Sequence, residues 1–327
     1  MSSAVCVRRA IEIDDFVKSR QYSFEIHLKR MESIGFPMIK TILVNGIMIA
    51  GVYALLASGF SLIFGVARII SLAQTAFYML AAYVTFILTS QLGLNVPLSA
   101  LLSVALTTLF GLGVYWLCID RIREHETTVI LVTVSLAIFF QECLILKFGL
   151  YQKSVPQFIE GFFEILGTRV SYQYVIALLV VVAVLLGIWM LLYKTKLGLA
   201  TRAVAQDREV ANLMGIKVRK MCMGAFGLAV GLAAIAGAVV APIYSMDPYM
   251  WMHSLLMICA IVVLGGLGSA IGSVIGALIM GYVETLVVFL VPMGSFVKTA
   301  VALMIMIVVL MIRPEGLFGV TFEEERL

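Results

Sequence analysis

The sequence predicts an all-α, polytopic transmembrane helical bundle with about eight to nine membrane segments, some of them broken or re-entrant. Three observations carry that prediction. Of 327 residues, 62% are hydrophobic and only 13% are charged, where soluble domains run near a quarter charged. Apolar runs of about 20 residues, the length that crosses a hydrocarbon core, recur along the chain. Between them lies one polar, cationic island at 194–221. It carries seven Lys/Arg (Lys194, Lys196, Arg202, Arg208, Lys217, Arg219, Lys220) against two acids, Asp207 and Glu209.

Residues 1–37 form a polar, mixed-charge extension with no long apolar core, and no h-region follows Arg8 and Arg9 as a signal peptide would require. Two readings stand. One is a polar tail or surface helix. The other is an upstream start, with Met38 the natural first residue, since "MIKTILVNG" reads like a membrane-protein beginning. A single transmembrane domain then occupies 38–320, with a short cytoplasmic tail at 321–327.

The predicted spans are 41–65, 77–91, 96–118, 127–147 and 172–193, then the island, then 222–242, 252–267, 271–291 and 296–312. Two stretches interrupt their apolar runs with small or polar residues: "FGVARIISLAQTAFYMLAAY" and "LGGLGSAIGSVIGALIMGY". Irregular backbone at membrane depth survives only when packed in protein or lining a wet cavity, and paired breaks in a transporter point to its pathway. Gly268, Gly272 and Gly276 form a small-xxx-small series, the pattern of a close helix contact.

Orientation follows the basic residues, because short Lys/Arg-rich loops stay cytoplasmic. The island is therefore inside, and so are 119–126 and the C-terminal tail. The loop 148–171 and "SMDPYMWM" are outside, where each either packs on the rim of the bundle or meets a binding protein. Counting back leaves the N-terminus outside if 66–76 does not cross, which conflicts with the basic residues of 1–40.

The island has the logic of a helix: Thr201 or Gly198 at its start, about four turns, and Gly215 as a C-cap. Such an amphipathic helix either lies on the lipid surface or seats in another protein's groove. No P-loop, GxSxG or HExxH occurs, so neither ATP binding by this chain nor covalent catalysis is expected. Five scattered cysteines without a CxxC pair, and three distant histidines, suggest no metal site and no cofactor. Nothing points to nucleic acid.

The island also resembles the cytoplasmic loop of permease subunits in the high-affinity branched-chain amino-acid uptake systems of the ATP-binding-cassette class. The family's alanine, acidic residue, alanine, glycine pattern reads here as Ala205, Asp207, Ala211 and Gly215, with Ala203 on the same helix. "YALLASGFSLIFGV", "FYMLAAY", "VVLGGLGSAIGSVIGALIMGYVE" and "RPEGLFG" resemble further family segments, so the resemblance covers about 41–319. It implies an importer permease in the cell (inner) membrane. Its partners would be a second, homologous permease, two cytoplasmic ATP-binding subunits that dock on the helix, and an extracytoplasmic solute-binding protein. One departure matters. Family members usually show an Asn and then Ala-His-Gly-Glu before the "YML" stretch, whereas this chain has "SLAQTAFYML". Relatives move branched-chain amino acids, other amino acids, urea or short amides, and small carboxylates, and the departure leaves that choice open.

Candidate path residues are Asn45, Ser71, Gln74, Thr75, Gln141 and Glu284. Each could equally be an interhelical hydrogen-bonding group. Glu284, an acid inside a span, keeps a rival open: an ion-coupled secondary transporter of a small polar solute. A channel or membrane scaffold is the other rival.

Overall fold

The computed structural model describes residues 36–123, 125–159, 161–165, 168–291, 293–313 and 316–318. Apart from Phe36 and Pro37, the N-terminal extension lies outside the described residues, and so does the tail at 321–327.

Eleven α-helices are described: α1 (Phe36–Ala67), α2 (Ala73–Ser90), α3 (Val96–Val114), α4 (Glu126–Phe148), α5 (Tyr172–Lys194), α6 (Lys196–Gln206), α7 (Arg208–Leu213), α8 (Val218–Val240), α9 (Met250–Gly265), α10 (Ala270–Leu290) and α11 (Gly294–Ile312). A π-helical turn, Tyr115–Ile119, and the short Asp120–Ile122 segment extend α3. Eight of the helical segments are long and apolar enough to cross a membrane. The ninth apolar segment, α9, has 16 residues. At 1.5 Å per residue it spans roughly 24 Å, short of a ~30 Å core. The chain is thus an all-α polytopic bundle.

Two short strands, β1 (Phe162–Ile165) and β2 (Thr168–Ser171), pair antiparallel in the outer loop. The sequence predicts a loop at 148–171. Its aromatic and β-branched residues favour a hairpin, but a segment this short gives no periodic signal. Lys153 and Met246 exchange backbone hydrogen bonds of 2.9 and 2.8 Å, which clip this loop to the turn after α8.

α1, α2 and α8 form the centre, and α10 lies antiparallel along α1. Gly46 meets the Tyr282 ring, Gly281 meets Ala50, and Gly65 meets Gly268. The interior of the first half is aromatic: Phe77 lies 6.0 to 6.4 Å from the rings of Phe140, Phe226 and Phe110.

The first break is shorter than predicted. α1 runs to Ala67, the chain turns at Arg68 (φ 44), and α2 begins at Ala73, four residues before the expected 77. Ala73, Gln74 and Ala76 are adequate helix formers, so only 68–72 stays irregular. This segment does not cross the bundle. α1 therefore starts on the face of the bundle opposite the island.

Candidate coupling surface and translocation path

The island folds as two helices, not the single four-turn helix expected from 201 to 215. Thr195, rather than Thr201 or Gly198, caps the start of α6, accepting from the Gly198 N–H at 3.1 Å. α6 ends at Gln206 because Asp207 leaves the helical region (φ −146°, ψ 119°) and caps α7 instead. Its Oδ1 accepts from the N–H groups of Glu209 and Val210 at 2.8 and 2.9 Å. An aspartate that satisfies two orphan donors makes a better helix start than helix interior. Gly215 adopts φ +86°. The Gly215 N–H bonds Asn212 O and the Ile216 N–H bonds Ala211 O, both at 3.0 Å, the paired closure of a Schellman cap.

One face of this arm is held and the other is bare. Val204 and Ala211 are buried, whereas Val210, Leu213 and Met214 are exposed, Leu213 by 85%. Ala203 and Ala205 are half-buried, and Asp207 and Gly215 are exposed. Arginines tie the arm to the end of α1: Arg208 Nη2 donates to Val66 O at 3.1 Å, and Arg68 Nη2 to Gln206 O at 3.3 Å. At the foot of α8, Arg219 Nε donates to Asp120 Oδ2 at 2.8 Å, clamping α8 to the extension of α3.

The six candidate path residues fall into separate places. Ser71, Gln74 and Thr75 are buried at the first break. Gln74 Nε2 donates to Leu56 O at 3.0 Å, and Thr75 Oγ1 to Leu72 O at 3.2 Å. Ser71 Oγ and Gln74 Oε1 have no hydrogen-bond partner among the described residues. Asn45 turns back onto its own helix, donating to Thr41 O at 2.9 Å. Gln141 accepts from Trp251 Nε1 at 2.7 Å and donates to Glu142 at 3.1 Å. Glu284 Oε1 accepts from Lys298 Nζ at 2.6 Å and lies 3.6 Å from His253 Nε2. The remaining oxygen, Oε2, has no hydrogen-bond partner among the described residues.

The glycine series divides. A Cβ at Gly272 would collide with the Gly265 carbonyl, and one at Gly276 would sit 2.6 Å from Ile261 O, so both let α10 lie against the α9 backbone. Gly268 is not on that face. It precedes α10 in a turn at φ +83°, a conformation that L side chains rarely adopt.

Comparison with known proteins shows the family. The family model for the branched-chain amino acid transport system permease component matches residues 42–312. The chain belongs to this family. It is similar to the permease protein BraD of Pseudomonas aeruginosa, a high-affinity branched-chain amino acid transport system component, with 29% identity over 85% of this chain and 94% of that protein. LivH of Escherichia coli K12 is 25% identical over 84% of this chain and 94% of LivH. A probable LivH of Methanocaldococcus jannaschii is 27% identical over 87% and 94% respectively. No solved structure matches the chain significantly.

This permease is a multi-pass membrane protein, and it carries polar groups that sequence reasoning passed over. Ser58 and Ser61, buried on α1, join Ser71 and Gln74 in having side-chain oxygens without partners among the described residues. Lys298 and His253 complete the Glu284 cluster. Their signal was available: both lie near the outer starts of α11 and α9, at the depth of Glu284 near the outer end of α10. Ser58 and Ser61 gave no such signal, because serines are common in apolar spans.

Proposed function

We propose that this chain is the membrane-spanning subunit of an ATP-binding-cassette importer for branched-chain or related amino acids, in the cell (inner) membrane. It works with a homologous second permease, two cytoplasmic ATPases and an external solute-binding protein. The two-helix arm is the observation that carries this reading. Val210, Leu213 and Met214 present apolar side chains on the cationic face, and the amphipathic arm suits a protein groove. Ala203, Ala205, Asp207, Ala211 and Gly215 form the coupling element, and Arg208 carries its motion to the end of α1.

The solute path runs where helices separate. Among the six path candidates, Ser71 and Gln74 suit it best, because their buried oxygens are unspent and can meet a passing zwitterion. The names of BraD and LivH support branched-chain amino acids as cargo. Glu284 suits ion coupling poorly, since Lys298 already holds it. A paired permease is supported by α11, of which only Gly294 and Ala302 are buried within this chain.

The test is co-purification of the C-terminally tagged chain, expressed from its native locus and extracted in mild detergent. Two P-loop ATPases and a second permease are expected in the mass spectrum. Repeated recovery of the chain alone, from membranes that retain uptake, would sink the proposal.

A further inference from the structure

A cavity of about 290 Å³ opens at the inner end of the bundle, between the end of α1, the π-helical turn and the foot of α8. Arg68, Arg123 and Arg208 line it, with Glu126, Tyr115 and Cys222. At ~30 Å³ per water, the space takes a phosphoryl group together with part of what it is attached to. Three guanidiniums and the Glu126 carboxylate line it, and a second carboxylate, Asp120, stands 3.9 Å from Arg123 and also accepts from Arg219.

Two polar atoms here are buried and unspent. Tyr115 is 1% exposed, and its hydroxyl has no hydrogen-bond partner among the described residues. Arg208 Nε is buried without one as well, although the same guanidinium donates to Val66 O through Nη2. Buried donors are normally satisfied, and the two residues that carry this hydroxyl and this guanidinium N–H both line the cavity, where an anionic acceptor would satisfy them. Planar guanidinium forks match phosphate oxygens. Basic pockets between helices at the cytoplasmic end of a bundle are also where anionic headgroups bind.

We propose that this cavity binds a phosphate-type oxyanion, either free phosphate or the headgroup of an anionic lipid. The anion accepts from Tyr115 Oη and Arg208 Nε and is flanked by Arg123. Occupancy then links the arm, through Arg208, to the extension of α3, through Tyr115 and Arg123. The inference does not depend on the identity of the transported solute.

The experiment uses the full purified chain in phosphatidylcholine nanodiscs, at constant ionic strength. Radiolabelled orthophosphate is titrated, and the unfolding midpoint is followed in phosphate and in chloride. Saturable binding is expected, with stabilisation by phosphate but not chloride. Y115F, a substitution that keeps the ring packed, should weaken binding about tenfold. R208Q should weaken it at least as much. A second set of discs contains phosphatidylglycerol. If that lipid is retained in native mass spectrometry, is displaced by orthophosphate and is lost in Y115F, the source is the headgroup. The proposal is overturned if neither phosphate nor phosphatidylglycerol binds saturably, or if Y115F and R208Q bind them as the parent does. It is equally overturned if only an added ATPase subunit protects the cavity, which would make the occupant a protein carboxylate.

Discussion

Two groups of charged side chains sit at opposite ends of the bundle, and they are built differently. At the outer end, Glu284, Lys298 and His253 close on one another, with Thr299 Oγ1 against His253 Nδ1 at 2.9 Å. At the inner end, Arg68, Arg123 and Arg208 surround a cavity, while Arg219 and Asp120 tie neighbouring helices. The outer group joins α9, α10 and α11 into one unit. The inner group joins the arm to the transmembrane helices around an open cavity, and each group keeps buried polar atoms without partners among the described residues: Glu284 Oε2 and His253 Nε2 outside, Arg208 Nε inside. Charged side chains thus tie three helices together at one end and line a cavity beside the arm at the other. A permease moved from its cytoplasmic face would use such a division.

The comparison breaks most sharply at Ala211. This residue is 4% exposed, on the held face of the arm. A211W overpacks that contact and should tilt the arm away from its seat. ATP-driven uptake is expected to fall by more than about tenfold, with the ATPases lost from the co-purified complex. Normal uptake with all partners retained would remove the arm from the mechanism.

The outer group is tested by E284A. Breaking a buried ion pair typically costs ~3–5 kcal/mol. Lys298 is 26% exposed and can reach toward the interface, so we expect about 2–3 kcal/mol, read by denaturant unfolding. E284Q should leave uptake near the parent level, because the group is structural. Loss of uptake in E284Q at unchanged stability would restore an ion-coupled transporter. Replacing Glu284 and Lys298 together with methionine should cost less than either single change.

G272A probes the α9–α10 contact nearer the inner end. The new Cβ meets the Gly265 carbonyl, which cannot rotate away as a side chain would. Overpacking of this kind costs roughly 1–3 kcal/mol. A fully stable G272A would mean that the two helices are free to separate there.

Much of this architecture was legible. Each predicted span overlaps an observed helix, because long apolar runs bounded by charge leave few alternatives. Gly272 and Gly276 were legible as a packing face for the same reason. Gly268 packs too, but from the turn before α10 and against Gly65 of α1, a distinction that spacing alone does not carry. The charge pairs were less legible. Glu284 and Lys298 are neighbours only once α10 and α11 fold back on each other, and Arg208 and Val66 lie 142 positions apart in the chain. The inner cavity had no sequence signal at all, since its three arginines come from three separate segments.

The smallest effect separates two roles of one residue. Asp207 ended a predicted single helix and made two, so its carboxylate serves α7 as a cap, and it also carries charge on the exposed face of the arm. Losing an aspartate cap costs ~0.5–2 kcal/mol, while asparagine caps about as well. If capping is its work, D207A should speed amide exchange over 208–213 several-fold and lower uptake modestly, and D207N should resemble the parent in both. If the charge is its work, in meeting a basic surface of the ATPase, D207N should fail as badly as D207A in uptake while its amides stay protected. The first outcome makes the bend between α6 and α7 the feature that matters. The second makes the arm's exposed acid a contact that reaches beyond this chain.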